Sequence, residues 1–286
     1  MIRLLAALLL LGAALSPWAQ AGEPQGVLST IKKTGVIRLG YLAASPPFSF
    51  DTGTNSPAGF SVDLCQRAAE GVRKQLGLDA LRIEWVKLDL SNRLAAVRDG
   101  KVDIECGTTT WTLSRQESVD FSLMTFVDGA TVLVRSDSAL TGLDNLKGKR
   151  LAVVPGTTTE GALNGALRRR GLQATITPVG SHEEGLALLA AGQVDGYASD
   201  RLLLVEMGLN AKGSNTFRVL EEDFSVEPYA LTLPRGEPDL RLAVNRALAQ
   251  LYRSNEIEPI FEKWLGALGR PSVLLSALYY LQSIPE

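Results

Sequence analysis

The chain has 286 residues, a formal net charge of −2 and an apolar fraction of 45%. Because opposite charges nearly balance, no face can be strongly basic without an equally acidic one elsewhere, which argues against a nucleic-acid binder. One histidine and two separated cysteines do not supply ordinary zinc spacing, so no metal or cofactor is expected.

The N-terminus has the pattern of a secretory leader. Arg3 precedes an apolar run over residues 4–15, which is followed by Pro17 and by Ala19-Gln20-Ala21. This run is shorter than the roughly 20 apolar residues that span a bilayer, and it ends at a typical cleavage pattern. We predict a signal peptide over residues 1–21. No cysteine lies near the cleavage position, so the mature protein is expected to be exported in soluble form, without a lipid anchor.

Strands and helices alternate in the first half of the mature chain. Predicted strands cover residues 35–39, 83–86 and 102–106, and predicted helices cover residues 60–76 and 92–98. The loop Ser45-Pro46-Pro47-Phe48 is predicted to be extended, because proline excludes helix from its own position and from the preceding one. The third strand leads into Gly107-Thr108-Thr109-Thr110, a loop dense in backbone donors and hydroxyls.

The same alternation then begins again. Strands are predicted over residues 149–154, 176–178 and 195–199, and helices over residues 160–170, 183–191, 237–251 and 257–265. A second loop rich in glycine and threonine, residues 155–159, opens the first of these helices. The apolar segment 273–281 is too short to span a bilayer and is expected to pack on the protein. Alternation of this kind predicts an α/β fold with mostly parallel sheets flanked by helices.

Two α/β units in tandem predict two lobes. The pattern restarts near Thr131, and the extended stretch 229–233 could carry the chain back to the first unit. We therefore predict a discontinuous first lobe, residues 22–130 and 228–286, and a second lobe, residues 131–227. Two crossing strands between lobes form a hinge, and closure of a hinge around a ligand is a standard binding motion.

Arg115 follows the first glycine-threonine loop. A guanidinium grips two carboxylate oxygens in parallel, and the backbone amides of the loop could complete the shell. The second loop opens a helix, whose unpaired N–H groups attract anions. By pattern alone the commoner outcome is a solvated surface arginine beside an ordinary helix-initiating loop.

Asp200 follows a predicted strand, at the carboxyl end where open α/β sheets bind ligands, and its carboxylate could bind an ammonium group. The alternative is a helix N-cap, because Arg201-Leu202-Leu203-Leu204 follows. His182 is either a ligand contact, a cap or a surface residue. Phe48 could contact the aliphatic part of a ligand, although a core aromatic is the commoner outcome.

Cys65 and Cys106 are the two cysteines of the chain. Export places them where disulfides persist, which favours a single bridge. The alternative is a pair of buried free thiols, because cysteine also packs as a small apolar residue.

Taken in order, these residues resemble a known family, the periplasmic solute-binding proteins of polar amino-acid ABC transporters, and within it the glutamate/aspartate-binding branch. The matching stretches span nearly the whole mature chain. They are Ser45-Pro46-Pro47-Phe48-Ser49-Phe50, Gly59-Phe60-Ser61-Val62-Asp63-Leu64, Asn92-Arg93-Leu94, Gly100-Lys101-Val102-Asp103-Ile104-Glu105-Cys106-Gly107-Thr108-Thr109-Thr110, Arg115-Gln116, Phe121-Ser122, Leu146-Lys147-Gly148-Lys149, Gly156-Thr157-Thr158 and Phe261-Glu262-Lys263-Trp264.

The resemblance implies a role for each candidate residue. Arg115 would bind the α-carboxylate of a free amino acid, and Asp200 would pair with its α-ammonium. Further polar contacts are implied at Thr110, Thr157, Thr158, Thr108 and Arg93, and His182 would lie near the ligand side chain. A zwitterion that leaves water needs both charges paired, because an unpaired buried charge costs several kcal/mol. The implied protein is a periplasmic monomer that delivers its ligand to an inner-membrane ABC permease.

Two positions depart from the glutamate/aspartate branch. Leu42 stands where that branch has an arginine facing the side-chain carboxylate, and Leu90 stands where it has a ligand-contacting serine. Both changes make the distal part of the pocket more apolar. The side chain that the protein prefers therefore stays open between glutamate, glutamine and a less polar amino acid.

The sequence contains no hydrolase nucleophile elbow, Walker loop or zinc-protease motif. We therefore expect a binding protein and not an enzyme. The resemblance brings one enzyme alternative, because the family includes periplasmic cyclohexadienyl dehydratases on the same scaffold. Glu160 is the acid to test for that activity, although a glutamate at this position also occurs in plain binding proteins.

Overall fold

The computed structural model describes residues 25–53, 56–211 and 216–285. The predicted signal peptide lies outside these residues. The elements before the long central strand are α1 (Gly26–Thr34), β1 (Val36–Leu42), β2 (Ala44–Ser45), β3 (Ser49–Asp51), β4 (Pro57–Ala58), α2 (Phe60–Gln75), β5 (Arg82–Leu88), α3 (Arg93–Arg98) and β6 (Ile104–Glu105).

A long strand, β7, opens the second part of the chain. The elements from there on are β7 (Val119–Arg135), β8 (Arg150–Val153), α4 (Thr158–Arg169), β9 (Thr175–Pro178), α5 (His182–Ala190), β10 (Gly196–Asp200), α6 (Arg201–Asn210), β11 (Phe217–Val219), β12 (Ser225–Pro234), α7 (Pro238–Arg253), α8 (Ile257–Leu265) and α9 (Val273–Leu281). No helix in these described ranges is long and apolar enough to cross a membrane.

One mixed sheet runs through the molecule. Its strand order is β5-β1-β6-β12-β7-β10-β8-β9, and β11 pairs with β7. The flanking strands are parallel: β1 pairs with β5 and β6, and β8 pairs with β9 and β10. In the middle, β12 and β7 pair antiparallel over most of the length of β12. The two predicted sheets are therefore joined through two long crossing strands.

The buried cores follow the same division. One apolar cluster contains residues between Ala130 and Phe224 alone, and the largest cluster joins residues 28–126 to residues 229–279, with Leu203 as its one member from between them. Within the largest cluster, α2 packs on α7 through a face that includes Leu64, Ala68 and Val72. The predicted lobe boundaries, 130/131 and 227/228, fall inside β7 and β12, and the lobe division stays a prediction.

One local prediction is wrong. Residues 45–48 are not extended but form a tight turn between β2 and β3, in which the Phe48 N–H donates to Ser45 O at 3.0 Å. The φ angle that proline imposes suits turn positions as well as extended ones, so the two prolines could not distinguish these structures.

Candidate functional site

The first glycine-threonine loop is held against β12. Thr110 pairs with Tyr229 through an isolated antiparallel bridge, whose hydrogen bonds run from Trp111 N–H to Pro228 O at 2.7 Å and from Ala230 N–H to Thr109 O at 3.2 Å. Because the flanking residues make these bonds, the N–H and C=O groups of Thr110 point away from β12.

Arg115 lies next to this loop. Its guanidinium donates to the carbonyl oxygen of Thr110 at 2.8 Å, and the side chain is partly buried. Burial, with a smaller contribution from the nearby positive charge of Arg93, lowers the pKa of Arg115 to about 10. Arg115 is therefore still a cation at neutral pH, which is the state that carboxylate binding needs.

The second glycine-threonine loop, residues 155–159, leads into helix α4, whose N-terminus is capped. Thr157 is the N-cap of α4, and its hydroxyl oxygen accepts the Glu160 N–H at 3.2 Å. The Glu160 carboxylate accepts the N–H of Gly156, the residue before the N-cap, at 2.9 Å, and so ties the loop to the first turn of the helix. The N–H groups of Thr158 and Thr159 lie in the first turn and have no acceptor within the helix, so they form an anion-binding end.

Asp200 is the last residue of β10, and it does not cap α6. The Leu202 N–H at the start of that helix donates to Asp128 Oδ2 at 3.1 Å, whereas Asp200 makes no side-chain cap. Its carboxylate accepts from the Thr159 hydroxyl at 3.0 Å and from the Tyr229 hydroxyl at 2.5 Å. The N-cap alternative is therefore wrong, and the carboxylate is available to the space beside the second loop.

The environment of Asp200 weakens its ionisation. The side chain is buried, and burial together with the neighbouring Glu227 raises the pKa of Asp200 to about 6, against the opposing effect of the Tyr229 hydrogen bond. An ammonium group placed beside it would favour the carboxylate form. A cationic ligand group is therefore the most favourable partner for the Asp200 carboxylate.

Arg93 and His182 lie in the same wall. The Arg93 side chain is buried and donates to the Thr109 hydroxyl at 2.8 Å and to Leu90 O, with its charge faced by buried Glu105 and Asp200. His182 begins α5, but Ser181 is the cap there, so the cap alternative is wrong for His182 as well.

Burial keeps His182 neutral. It lowers the pKa of the imidazole to about 4. Nδ1 lies 2.6 Å from the Tyr197 hydroxyl, and Nε2 has no hydrogen-bond partner within the described ranges. The ring therefore has a buried nitrogen without a hydrogen-bond partner in the described ranges and carries no charge at neutral pH.

A small cavity brings seven of the predicted residues together. Its lining includes Arg93, Thr108, Thr110, Thr157, Thr158, His182 and Asp200. Its volume is about 20 Å³, enough for about one water molecule. An amino acid can enter only when the walls move apart. Arg115 does not line this cavity but contacts it through Thr110.

Phe48 is not in the cavity wall. It is fully buried, and its ring centroid lies 5.3 Å from that of Tyr229 and 5.1 Å from that of Phe126. The structure therefore places Phe48 in an aromatic cluster behind the site and not beside a ligand. Its visible effect is to hold Tyr229, which donates to Asp200.

A second cavity adjoins the first and shares Leu90 and His182 with it. Its volume is about 220 Å³. Leu42 and Leu88 line one side, and residues 180–183 line the other. The two positions that depart from the glutamate/aspartate branch, Leu42 and Leu90, therefore both lie in walls where a ligand side chain could extend.

Cys65 and Cys106 are linked by a disulfide. It connects α2 to the residue after β6, directly before the first glycine-threonine loop. No group of three histidine, cysteine, aspartate or glutamate side chains suited to a metal ion occurs in the described part of the chain.

Four further residues contact the site and were not predicted from the sequence: Asp128, Tyr197, Glu227 and Tyr229. None belongs to a local motif. Tyr197 contacts His182 across 15 residues, and Glu227 contacts Thr110 across 117 residues.

A cavity at strand ends that is lined by an arginine, threonine hydroxyls and a buried carboxylate is typical of a small-molecule-binding protein of the α/β class. The profile of the bacterial extracellular solute-binding proteins, family 3, matches residues 37–267. The chain belongs to this family.

Individual relatives agree with that membership. The L-glutamate/L-aspartate-binding protein of Pseudomonas aeruginosa is 33% identical over 256 residues, which cover 89% of this chain and 85% of that protein. The glutamate/aspartate import solute-binding protein of Escherichia coli is 29% identical and covers 83% of this chain and 78% of its own length. An L-cystine-binding protein of Escherichia coli is 28% identical, with coverages of 85% and 87%.

Solved structures confirm the predicted fold class. An ancestral arginine-binding protein bound to glutamine superposes with a TM-score of 0.72 at 27% identity, covering 81% of this chain and 98% of that one. An ancestral amino acid-binding protein, described as a precursor of cyclohexadienyl dehydratase, gives a TM-score of 0.72 at 26% identity, with coverages of 83% and 98%. The scaffold is that of two-lobed amino-acid-binding proteins.

Proposed function

We propose that the protein binds a free amino acid between the lobes formed by residues 22–130 with 228–286 and by residues 131–227. The observation that carries the proposal is the closeness of complementary groups: Arg115 donates to Thr110 of the cavity wall, and buried Asp200 lies beside the first turn of α4 in the same wall. This arrangement is complementary to an α-carboxylate and an α-ammonium. In this proposal the protein is a periplasmic monomer. Once it has bound the amino acid, it delivers this ligand to an inner-membrane ABC permease.

The ligand we favour is a polar or acidic amino acid of the glutamate and aspartate type. The names of the relatives support this choice, and Arg93 supplies a positive charge in the cavity wall. Leu42 and Leu90 make the adjoining cavity more apolar, so glutamine belongs in the first set of ligands to test.

Thermal-shift screening against the common amino acids tests the proposal. The protein is first unfolded and refolded to remove carried-over ligand. A ligand at about 100 times its Kd stabilises the folded state by roughly 2.7 kcal/mol, which is easily detected. Stabilisation by glutamate, aspartate or glutamine supports the proposal, and no shift with any amino acid contradicts it.

We propose that the protein is not an enzyme. Glu160, the acid considered for dehydratase chemistry, uses its carboxylate to accept the Gly156 N–H and is not among the residues that line the cavity. Incubation of the purified protein with prephenate or arogenate, followed by ultraviolet detection of aromatic product, tests this. Product formation would overturn the binding-only assignment.

A further inference from the structure

Glu227 lies at the meeting point of the two glycine-threonine loops. It belongs to β12, where it pairs with Asp128 of β7, and its side chain is 1% exposed. One carboxylate oxygen, Oε2, accepts from the Thr110 hydroxyl at 2.7 Å and from the Thr158 hydroxyl at 2.7 Å. The other oxygen accepts from the Ser225 hydroxyl at 2.5 Å.

Through Glu227, the bonds to Oε2 connect the two proposed lobes. Thr110 belongs to the proposed first lobe, and Thr158 begins α4 in the second. Their hydroxyl oxygens are 3.2 Å apart, and both donate to the same carboxylate oxygen. An opened cleft separates Thr110 from Thr158, so both bonds to Oε2 are made together only when the lobes are closed.

The number of hydroxyl protons determines which hydrogen-bond donors remain available to a ligand. Each threonine hydroxyl has one proton to donate, and both protons go to Glu227. The α-carboxylate therefore has to use other donors. Those available are the Arg115 guanidinium, the Thr110 N–H, which points away from β12, and the N–H groups in the first turn of α4.

We propose that Glu227 is a positioning residue that latches the closed cleft, holding the hydroxyls of Thr110 and Thr158 while their main-chain N–H groups receive the ligand carboxylate. This inference rests on the proposed function. Hydrogen bonds to a charged group are among the stronger ones in proteins, and three of them compensate the burial of this carboxylate. The latch stabilises closure with or without a ligand, so its effect is the same for every ligand side chain.

The first test needs no ligand. Lys101 and Gln173 are exposed, one in each proposed lobe. The substitutions Lys101→Cys and Gln173→Cys allow one dye to be attached to each lobe. Single-molecule energy transfer between the dyes then measures the fraction of closed molecules. Glu227→Ala should lower the closed fraction of the ligand-free protein, and Glu227→Gln should lower it less. Glu221→Gln, which removes an exposed carboxylate, is the matched control and should leave it unchanged. An unchanged closed fraction in Glu227→Ala overturns the latch.

A double-mutant cycle separates a latch from a merely structural role. Thr158→Val keeps the main-chain N–H and the branched shape but removes the hydroxyl, so it should weaken every bound amino acid by the same factor, about tenfold. In the Glu227→Ala background, Thr158→Val should cause no further loss, because the shared hydrogen bond is already absent. Equal losses in both backgrounds overturn the proposal.

Failure of the latch and failure of the proposed function give different results. If no amino acid binds the wild-type protein, the proposed function fails, and the closed fractions still decide the latch. If Glu227→Ala unfolds during purification, the closed fraction of Thr158→Val, which leaves the carboxylate in place, decides it instead. A reduced closed fraction supports the latch, and a wild-type value contradicts it.

Discussion

Tyr229 donates its hydroxyl hydrogen bond to Asp200 Oδ2 across 2.5 Å and thereby joins β12 to the end of β10. Tyr229 is fully buried and packs on Phe48, so its hydroxyl is held at one position. The bond favours the ionised form of Asp200, and it opposes burial and Glu227, which favour the neutral form. The protonation of Asp200 thus depends in part on Tyr229 and Glu227, which do not line the cavity.

This relationship predicts pH-dependent binding. The pKa of Asp200 in the ligand-free cleft is about 6, and a bound ammonium lowers it. The complex then holds fewer protons than the free protein. The affinity should therefore be highest above about pH 6 and should decrease at lower pH, by up to roughly tenfold per pH unit. Tyr229→Phe removes a bond that lowers this pKa, so the midpoint should move to higher pH. Calorimetric titrations between pH 4.5 and 8 measure both profiles, and coincident midpoints would contradict the assignment.

Arg115→Ala should abolish measurable binding of every amino acid tested. Loss of a charge-assisted carboxylate contact typically costs about 2–5 kcal/mol when the partner charge stays buried. Arg115→Lys should recover part of the affinity, because a lysine keeps the charge but not the paired geometry. Arg98→Ala removes an exposed arginine and serves as the control. Wild-type affinity in Arg115→Ala would show that another group binds the carboxylate.

Asp200→Asn should weaken amino acids far more than their deaminated analogues. Asparagine keeps the size and one acceptor oxygen but removes the charge that an α-ammonium needs. Competition titrations with each amino acid and its matching deaminated acid give the ratio of the two losses. Equal losses would assign Asp200 a structural role.

Asp128 should make the free energy of unfolding depend on pH. Burial and the nearby charge of Asp200 raise the pKa of this carboxyl to about 7 in the folded state. Because the folded pKa lies above the unfolded one, the stabilising contribution is complete below about pH 4. It is lost as the pH rises towards 7, by up to about 1.4 kcal/mol per pH unit.

Asp128→Asn should remove this pH-dependent contribution while keeping an acceptor for the Leu202 N–H. Denaturant unfolding of both ligand-free proteins at several pH values between 4 and 8 measures the difference. Parallel pH profiles for the two proteins would contradict the shifted pKa.

Removal of the Cys65–Cys106 disulfide should destabilise the protein by about 2–4 kcal/mol, because the bridge closes a loop with a sequence separation of 41 residues. The double variant Cys65→Ala with Cys106→Ala, compared with wild type in denaturant, measures the loss. Thiol titration of unreduced, denatured wild-type protein should find no free thiol, and two titratable thiols would contradict the bridge.

Local patterns in the sequence were sufficient to predict much of the secondary structure and the fold class. Alternating strand and helix periods predicted the α/β class, and the predicted helix over residues 257–265 matches α8 as observed. Both glycine-threonine loops were predicted at strand ends, because turn residues and apolar periodicity act over a few positions. The resemblance then named seven residues that line one cavity.

The tertiary structure alone decided which groups are free to bind. Asp200 followed by a helix has the local pattern of a cap, yet Asp128 of β7 supplies that cap from 74 residues away and leaves Asp200 to the cleft. Glu227 meets Thr158 across 69 residues and accepts a hydrogen bond from the hydroxyl of a residue that the resemblance had implied as a ligand contact. Periodicity is a property of neighbouring residues. Each hydroxyl, in contrast, donates its hydrogen bond to an acceptor that the fold brings close. Here the pairing of β7 with β12 determines which acceptor that is.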